Sequence, residues 1–435
     1  VPTMRKLLPL LLTVLLLPMG ASHAQTSPTA IFDYVNAPDP SYCWEKVGET
    51  QLANGCTQVT LNLISQTWQG LKWTHQLLII RPAQMTTPEV GVLFINGGKL
   101  GNAETGMVGM LANAAGGPVV YLGDIPNQPL FGNLHEDALI AHTFTQYLKT
   151  KDPTWPLLFP MTKAAVRAMD AVQEYTTKKW AKPVSKFVVT GASKRGWTTW
   201  FTGEADPQRV VGIAPIVYDN LNLPAQMALQ KSSYGVYSSQ IDDYTTLGLP
   251  DLLQTPAGKE FGALVDPYTY RDRATMPKLM INGSNDPYWV IDSANIYFGD
   301  LVGPRYLTYL PNTGHGNGDL MRLIAAEIGF YQCCAGQAPF PQFNWQYQED
   351  PTVVKLGMVS DIQPTRVLQW TATSPTRDFR KAKWECCQLE LAGGQYLAQM
   401  KKPAQGYAAM FGEALYTLNG REIPTSTTIR VVGGQ

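Results

Sequence analysis

Residues 186–204 read KFVVTGASKRGWTTWFTGE. A β-branched run ending at Thr190 gives way to Gly191, Ala192 and Ser193, and from Trp197 to Glu204 the chain turns amphipathic. A strand, a tight turn of small residues and then a helix make an elbow that lifts one side chain above the rim of a sheet. Gly191 stands two positions before Ser193. Arg195 occupies the second position after it and Gly196 the third, so the pattern is G-x-S-x-x-G rather than G-x-S-x-G. Ser193 is expected to be a nucleophile; the plainer alternative is a turn or helix N-cap serine.

Working outward, apolar runs and alternation predict eight strands. The first two, Thr57 to Gln66 and Lys72 to Pro82, are joined by a short turn and should pair antiparallel. Val90 to Gly98, Pro118 to Asp124, the elbow strand, Val210 to Val217, Pro277 to Ser284 and Arg305 to Asn312 complete the series. Helical stretches over 105–116, 136–149, 161–180 and 319–332 lie between or after them. Strands alternating with helices imply a mostly parallel sheet covered on both faces, and such sheets carry their chemistry in loops at the carboxyl ends of the strands.

Two segments fall outside this alternation. Residues 219–275, rich in Tyr, Leu and Pro, read either as a lid over the site or as a packed structural excursion. From about Phe340 onward short strands separated by turn residues predict a β-sandwich of about a hundred residues.

A serine hydroxyl needs a base to take its proton, commonly a histidine held by a carboxylate. The chain has five histidines, and His315 is the only one beyond Ser193. It sits in PNTGHGNGD, directly after the eighth strand, where a base is expected when the order is serine, acid, histidine. The acid should follow the seventh strand, and PKLMINGSNDPYW supplies Asp286, with Asp292 as the fallback. Two N–H donors would hold the oxyanion. One is the backbone of Lys194, and the other comes from Gly97 or Gly98 in INGGKLG after the third strand. Lys194 and Arg195 either add positive charge there or pair with carboxylates as props; the prop is preferred for Arg195 and Lys194 is left open. Asn127 and Gln128, in the loop after the fourth strand, are candidates for binding polar groups of a substrate, against the alternative of a proline-bracketed turn.

Composition narrows the remaining possibilities. The 34 basic and 34 acidic residues cancel and form no block, so neither nucleic acid nor an anionic membrane surface is expected as a partner. H-E-x-x-H, C-x-x-C, G-x-x-x-x-G-K-[ST] and S-x-x-K are all absent. No metal or cofactor is called for; the expected partner is a peptide or ester substrate. Arg5 and Lys6, the apolar run Leu7 to Leu17 and the small residues Ser22 and Ala24 predict a secretory leader over 1–24. The run is shorter than the ~20 residues that span a bilayer. The expectation is an exported protein, periplasmic or secreted, without stable membrane insertion. In an oxidising compartment the six cysteines are expected to form disulfides. Cys43 with Cys56, and the pairs Cys333/Cys334 and Cys386/Cys387 tying one domain to the next, are the suggested linkages.

With these residues placed, PNQPL, EDALIAHTF, WPLLFPMTKAAVRAMDAVQEY, TGASKRGWTTW, APIVYDNLNL, YRDRATMPKLMING and LPNTGHG resemble the PhoPQ-activated pathogenicity-related protein family, which includes autocrine proliferation repressor proteins. The resemblance covers nearly all of the chain after the leader. It implies an α/β-hydrolase domain over 25–339 with Ser193, Asp286 and His315 as its triad, and an immunoglobulin-like sandwich over 340–435. The expected function is an exported serine hydrolase, peptidase or carboxylesterase; the alternative is a secreted binding or signalling protein that keeps the scaffold without needing catalysis.

Overall fold

The computed structural model describes residues 28–316 and 318–433. The expected leader and its cleavage site lie outside the described residues. After helix α1 (Ala30–Asn36) come three antiparallel strands, β1 (Cys43–Gln51), β2 (Thr57–Trp68) and β3 (Leu71–Arg81). The alternating part follows: β4 (Val90–Ile95), α2 (Asn102–Ala115), β5 (Val119–Leu122), α3 (Glu136–Thr150), α4 (Leu158–Lys179), β6 (Lys186–Ala192), α5 (Lys194–Ala205) and β7 (Val210–Ile216). An excursion with α6 (Leu223–Tyr234), α7 (Asp242–Thr245), α8 (Leu249–Leu252) and α9 (Pro256–Val265) precedes β8 (Lys278–Gly283), β9 (Arg305–Leu310) and α10 (Leu320–Cys334).

The strands lie in the order β1-β2-β3-β5-β4-β6-β7-β8-β9, parallel from β5 onward. All eight predicted strands are present. The parallel ones are buried along almost their whole length, because helices cover both faces. Ala164, Ala168, Met169 and Val172 of α4 and Trp200 and Phe201 of α5 fill one side. Leu323, Ala326, Phe330 and Tyr331 of α10 fill the other. The strand that hydropathy does not reveal is β1: CWEKVGETQ is exposed on both faces, so it carries no apolar alternation. This sheet order and its helix layers are the α/β-hydrolase fold.

The C-terminal strands are β10 (Phe343–Glu349), β11 (Val353–Ser360), β12 (Arg366–Ser374), β13 (Glu385–Leu389), β14 (Leu391–Ala392), β15 (Gln395–Lys401), β16 (Tyr407–Leu418), β17 (Arg421–Ser426) and β18 (Arg430–Gly433). They form two antiparallel layers around Val354, Leu356, Met358, Ala398, Met410 and Ala414. One layer continues the large sheet. Ser426 of β17 pairs with Leu307 of β9, Tyr309 N–H donates to Ser426 Oγ at 3.1 Å, and Thr308 Oγ1 donates to the Pro424 carbonyl at 2.8 Å.

The expected disulfides are corrected by this geometry: all six cysteines are free thiols. Cys43 lies opposite Ile64, whereas Cys56 directly precedes Thr57, whose partner is Gln51. Eight residues of strand at about 3.3 Å each separate them by roughly 26 Å, against the ~4.4–6.8 Å that a disulfide spans between Cα atoms. The Cys56 thiol instead donates to the Gly109 carbonyl at 3.2 Å. The other pairs are also apart. Cys386 lies near Arg322 in the first turn of α10, while Cys333 and Cys334 end that helix, about 16 Å away at 1.5 Å per residue.

Candidate active site

Ser193 sits between β6 and α5 with φ 57° and ψ −122°. For a residue with a Cβ this backbone costs about 1–3 kcal/mol, and it persists only where the surroundings impose it. They do so here: Ser193 N–H donates to the Ile216 carbonyl at 2.8 Å, and Trp197 N–H donates to the Ser193 carbonyl at 3.0 Å. The small residues follow from close approach. A Cβ on Gly191 would stand 2.9 Å from the Arg195 carbonyl oxygen, and one on Gly196 would stand 3.0 Å from the Ile216 carbonyl and 2.9 Å from the Tyr218 Cβ. That explains the G-x-S-x-x-G spacing, since position 196, not 195, is the one that faces β7. The Arg195 side chain points away, toward Gly97 after β4 and Ile125 after β5.

The Ser193 side chain makes no helix-capping bond, which separates it from an N-cap serine. Its Oγ lies 2.8 Å from His315 Nε2. His315 Nδ1 lies 2.8 Å from Asp286 Oδ2. An ionised carboxylate only accepts, so Nδ1–H donates to Asp286 and Nε2 is left to accept the Ser193 hydroxyl. Asp286 is 3 % exposed, and its other oxygen accepts the Tyr288 N–H at 2.8 Å. The Tyr288 ring covers one face of the imidazole, with centroids 4.0 Å apart.

The loops that carry Asp286 and His315 are fastened to each other and to the sandwich. Asn285 N–H donates to the Thr313 carbonyl at 2.9 Å, and Asn312 N–H donates to Ser284 Oγ at 2.8 Å. The Asn285 side-chain amide donates to the carbonyls of Phe379 and Ala382, and Asn312 exchanges two hydrogen bonds with Trp384. These acceptors lie on the 375–384 segment between β12 and β13. Asp292, the fallback acid, belongs to the same seam: Arg377 donates to it at 2.6 Å, so it is a structural partner of the sandwich.

Both cations after Ser193 are paired. Arg195 forks onto Glu136 with two bonds of 2.7 Å and donates Nε–H to the Ile125 carbonyl at 2.6 Å. Lys194, 9 % exposed, lies 2.9 Å from Glu136 and 3.2 Å from Asp137. Burial pushes the Glu136 carboxyl up, but the Arg195 hydrogen bonds and the charges of Arg195 and Lys194 outweigh it and bring the pKa down to about 2. Gln128 belongs to this cluster. Its amide donates to Glu136 Oε1 at 2.5 Å, and its carbonyl oxygen accepts the Glu136 N–H. Asn127 is bonded to the backbone of Thr74. Both amides are thus occupied within the fold, and neither residue lines the cavity beside Ser193.

Gly97 makes room for this cluster, since a Cβ there would lie 2.2 Å from the Arg195 guanidinium. Its N–H donates to Asn96 Oδ1 at 2.6 Å. Gly98 has open space where a Cβ would stand, and its carbonyl accepts the Tyr121 hydroxyl. Lys194 opens α5, where first-turn N–H groups have no intrahelical acceptor.

The 219–275 excursion is packed as well as positioned over the site. Leu223, Met227, Ile241, Leu253 and Phe261 roof a cavity whose floor carries Ser193. Sequence reasoning missed Glu136, Asp137, Asn285, Asn312 and Tyr288. An available signal was the adjacent Glu136–Asp137 pair at a helix start, two carboxylates matching the two cations after Ser193. His75, which unlike His315 is fully buried, is structural. Its ring bonds Ser65 and the Asp124 carbonyl, and burial pushes it down to about 4.

Among solved structures the chain is similar to acetyl xylan esterase 1 of Thermoanaerobacterium sp. JW/SL YS485, with a TM-score of 0.47 and 16 % identity, covering 70 % of this chain and 91 % of that one. It is also similar to an S-formylglutathione hydrolase of Agrobacterium tumefaciens, with a TM-score of 0.45 and 15 % identity, covering 67 % and 99 % of the two chains. In sequence it is 35 % identical over 460 residues to autocrine proliferation repressor protein A of Dictyostelium discoideum, covering 97 % of this chain and 92 % of that protein. Residues 31–380 match the model of the PhoPQ-activated pathogenicity-related proteins, and the chain belongs to that family.

Proposed function

We propose that this protein is an exported serine hydrolase that cleaves an ester or peptide bond, with Ser193 as nucleophile, His315 as base and Asp286 as the group that orients it. The observation that carries the reading is the unbroken relay of two 2.8 Å contacts from hydroxyl to imidazole to carboxylate. Ser193 Oγ attacks the acyl carbon while His315 Nε2 takes its proton, and Asp286 stabilises the imidazolium that results. The oxyanion accepts from Lys194 N–H and Gly98 N–H; Gly98 is preferred to Gly97, whose N–H already donates to Asn96. Each such donor contributes about 3 kcal/mol to the transition state. The imidazolium then protonates the leaving alcohol or amine, and water repeats the cycle on the acyl-enzyme. Asn127, Gln128 and Arg195 act in this reading as struts.

A fluorophosphonate probe tests the reading: covalent labelling that disappears in Ser193→Ala is expected. Intact protein that neither labels nor turns over acyl esters or peptides would sink it. Export is tested by following the N-terminus of protein recovered from the cell envelope or medium, which should begin near Gln25.

A second reading has one specific support, the name of the 35 % identical relative, a proliferation repressor. In it the protein is a secreted signalling or binding partner that retains the scaffold. It prevails if Ser193→Ala leaves the cellular phenotype intact while disruption of the sandwich abolishes it.

A further inference from the structure

Resting on the hydrolase reading, we propose that the cavity beside Ser193 is an acyl pocket, and that the preferred substrate carries a neutral, apolar acyl group of medium length or with an aromatic ring. The first argument is position. The cavity is lined by Ser193, Lys194 and Trp197 on the elbow side, by the helices of the excursion, and by Tyr288 and Trp289 of the loop that follows Asp286; Tyr288 stands between it and the His315 ring, which does not itself line it. A leaving group must lie against His315 Nε2 to take its proton, and the oxyanion must lie against Lys194 N–H. The space on the Lys194 side therefore receives the acyl portion.

The second argument is charge. Among the described residues the charged groups lining the cavity are Asp137 and Lys194, and they satisfy each other at 3.2 Å. Lys194 has Glu136 as a further partner at 2.9 Å, and the second Asp137 oxygen accepts the Tyr244 hydroxyl at 3.0 Å. Among the described residues that line it, no unpaired carboxylate is left for an ammonium and no unpaired cation for a carboxylate. A charged acyl terminus would be desolvated here without a partner, which is strongly unfavourable.

The third argument is the wall itself. Met227, Ile241, Leu249, Leu253 and Phe261 line it from the roof, and Trp197 and Tyr218 stack beneath with ring centroids 5.2 Å apart; its polar atoms without a partner among the described residues, the Tyr218 hydroxyl and Asn220 Oδ1, are neutral. An acetyl group would leave most of this surface uncovered. Each further methylene that enters it should raise kcat/KM about fourfold, the ratio that corresponds to burying one CH₂.

The experiment measures kcat/KM for p-nitrophenyl acetate, butyrate, hexanoate, octanoate and phenylacetate, and for the succinate half-ester, with active sites counted by fluorophosphonate titration. We expect a rise of about fourfold per methylene to an optimum beyond butyrate, good turnover of phenylacetate, and a loss of at least about tenfold for the charged half-ester relative to butyrate. Leu253→Trp and, independently, Ile241→Trp should move the optimum to shorter chains. A flat series, an acetate optimum or equal use of the half-ester in a protein that labels at Ser193 would overturn the pocket and leave the hydrolase reading standing. No labelling and no turnover at all would instead remove the hydrolase reading, and this proposal with it.

Discussion

The side-chain amide of Asn285 donates to the Ala382 carbonyl at 2.7 Å, joining the loop that carries Asp286 to the C-terminal sandwich. The sandwich thereby helps to hold the carboxylate that orients His315. We expect Asn285→Ala to lower kcat about tenfold, a loss of ~1.4 kcal/mol in alignment, while KM for an ester stays nearly constant. Active-site titration separates this from misfolding. A kcat per titrated site equal to wild type would mean that Asn285 serves only stability.

Asp286 and Asp292 stand six positions apart and differ in partner, one facing His315 and the other Arg377. Asp286→Asn should reduce kcat by about 10⁴, the scale seen when a triad loses the carboxylate that fixes its tautomer. Asp292→Ala should keep kcat per titrated site within about threefold yet destabilise the fold by about 1–2 kcal/mol, because it leaves the half-buried Arg377 with Ser233 as its remaining side-chain partner. Parallel kinetics and denaturant unfolding of the two variants check both halves. Reversed effects would move the acid to position 292.

Glu136 has a folded pKa of about 2, below its ordinary 4.5. A depressed carboxylate contributes stability that is fully present above the unfolded value and is lost as pH falls toward the folded one. Thermal unfolding of wild type should therefore shift down steeply between about pH 5 and pH 2, and Glu136→Gln should show a shallower fall over that window. Identical slopes would show that the pairing with Arg195 and Lys194 adds nothing to folding.

Glu204 presents the opposite sign. It is fully buried at the end of α5, neither carboxylate oxygen has a hydrogen-bond partner among the described residues, and burial raises its pKa well above the ordinary value. The unfolded chain loses this proton from about pH 4.5 upward while the folded chain keeps it, so stability falls as pH rises past that point. Glu204→Gln should unfold at a higher temperature than wild type at pH 7.5 and close to it at pH 4. A variant less stable at both would point to a buried partner for the ionised carboxylate.

Much of this site is readable along the chain. The strand before Ser193, the glycines that crowd it, the single histidine past it and the acid after β8 are local patterns, each governed by backbone sterics or by the place of a loop at a strand's carboxyl end. The strands themselves are legible because apolar runs record burial between two helical layers. β1 is silent for the complementary reason, since a strand exposed on both faces needs no apolar residue.

Other features depend on residues that only the folded chain brings near one another. Whether Arg195 meets an oxyanion or Glu136, whether Gln128 meets a substrate or the same carboxylate, and whether Cys43 can reach Cys56 are questions of distance across the fold. The amino-acid order by itself determined the elbow, the succession of Ser193, Asp286 and His315 at the ends of their strands, and the parallel sheet. Tertiary structure alone decided which charges neutralise each other, how the sandwich grips the acid loop and what closes over the serine, because Coulomb and hydrogen-bond energies depend on separation in space, which chain position does not encode.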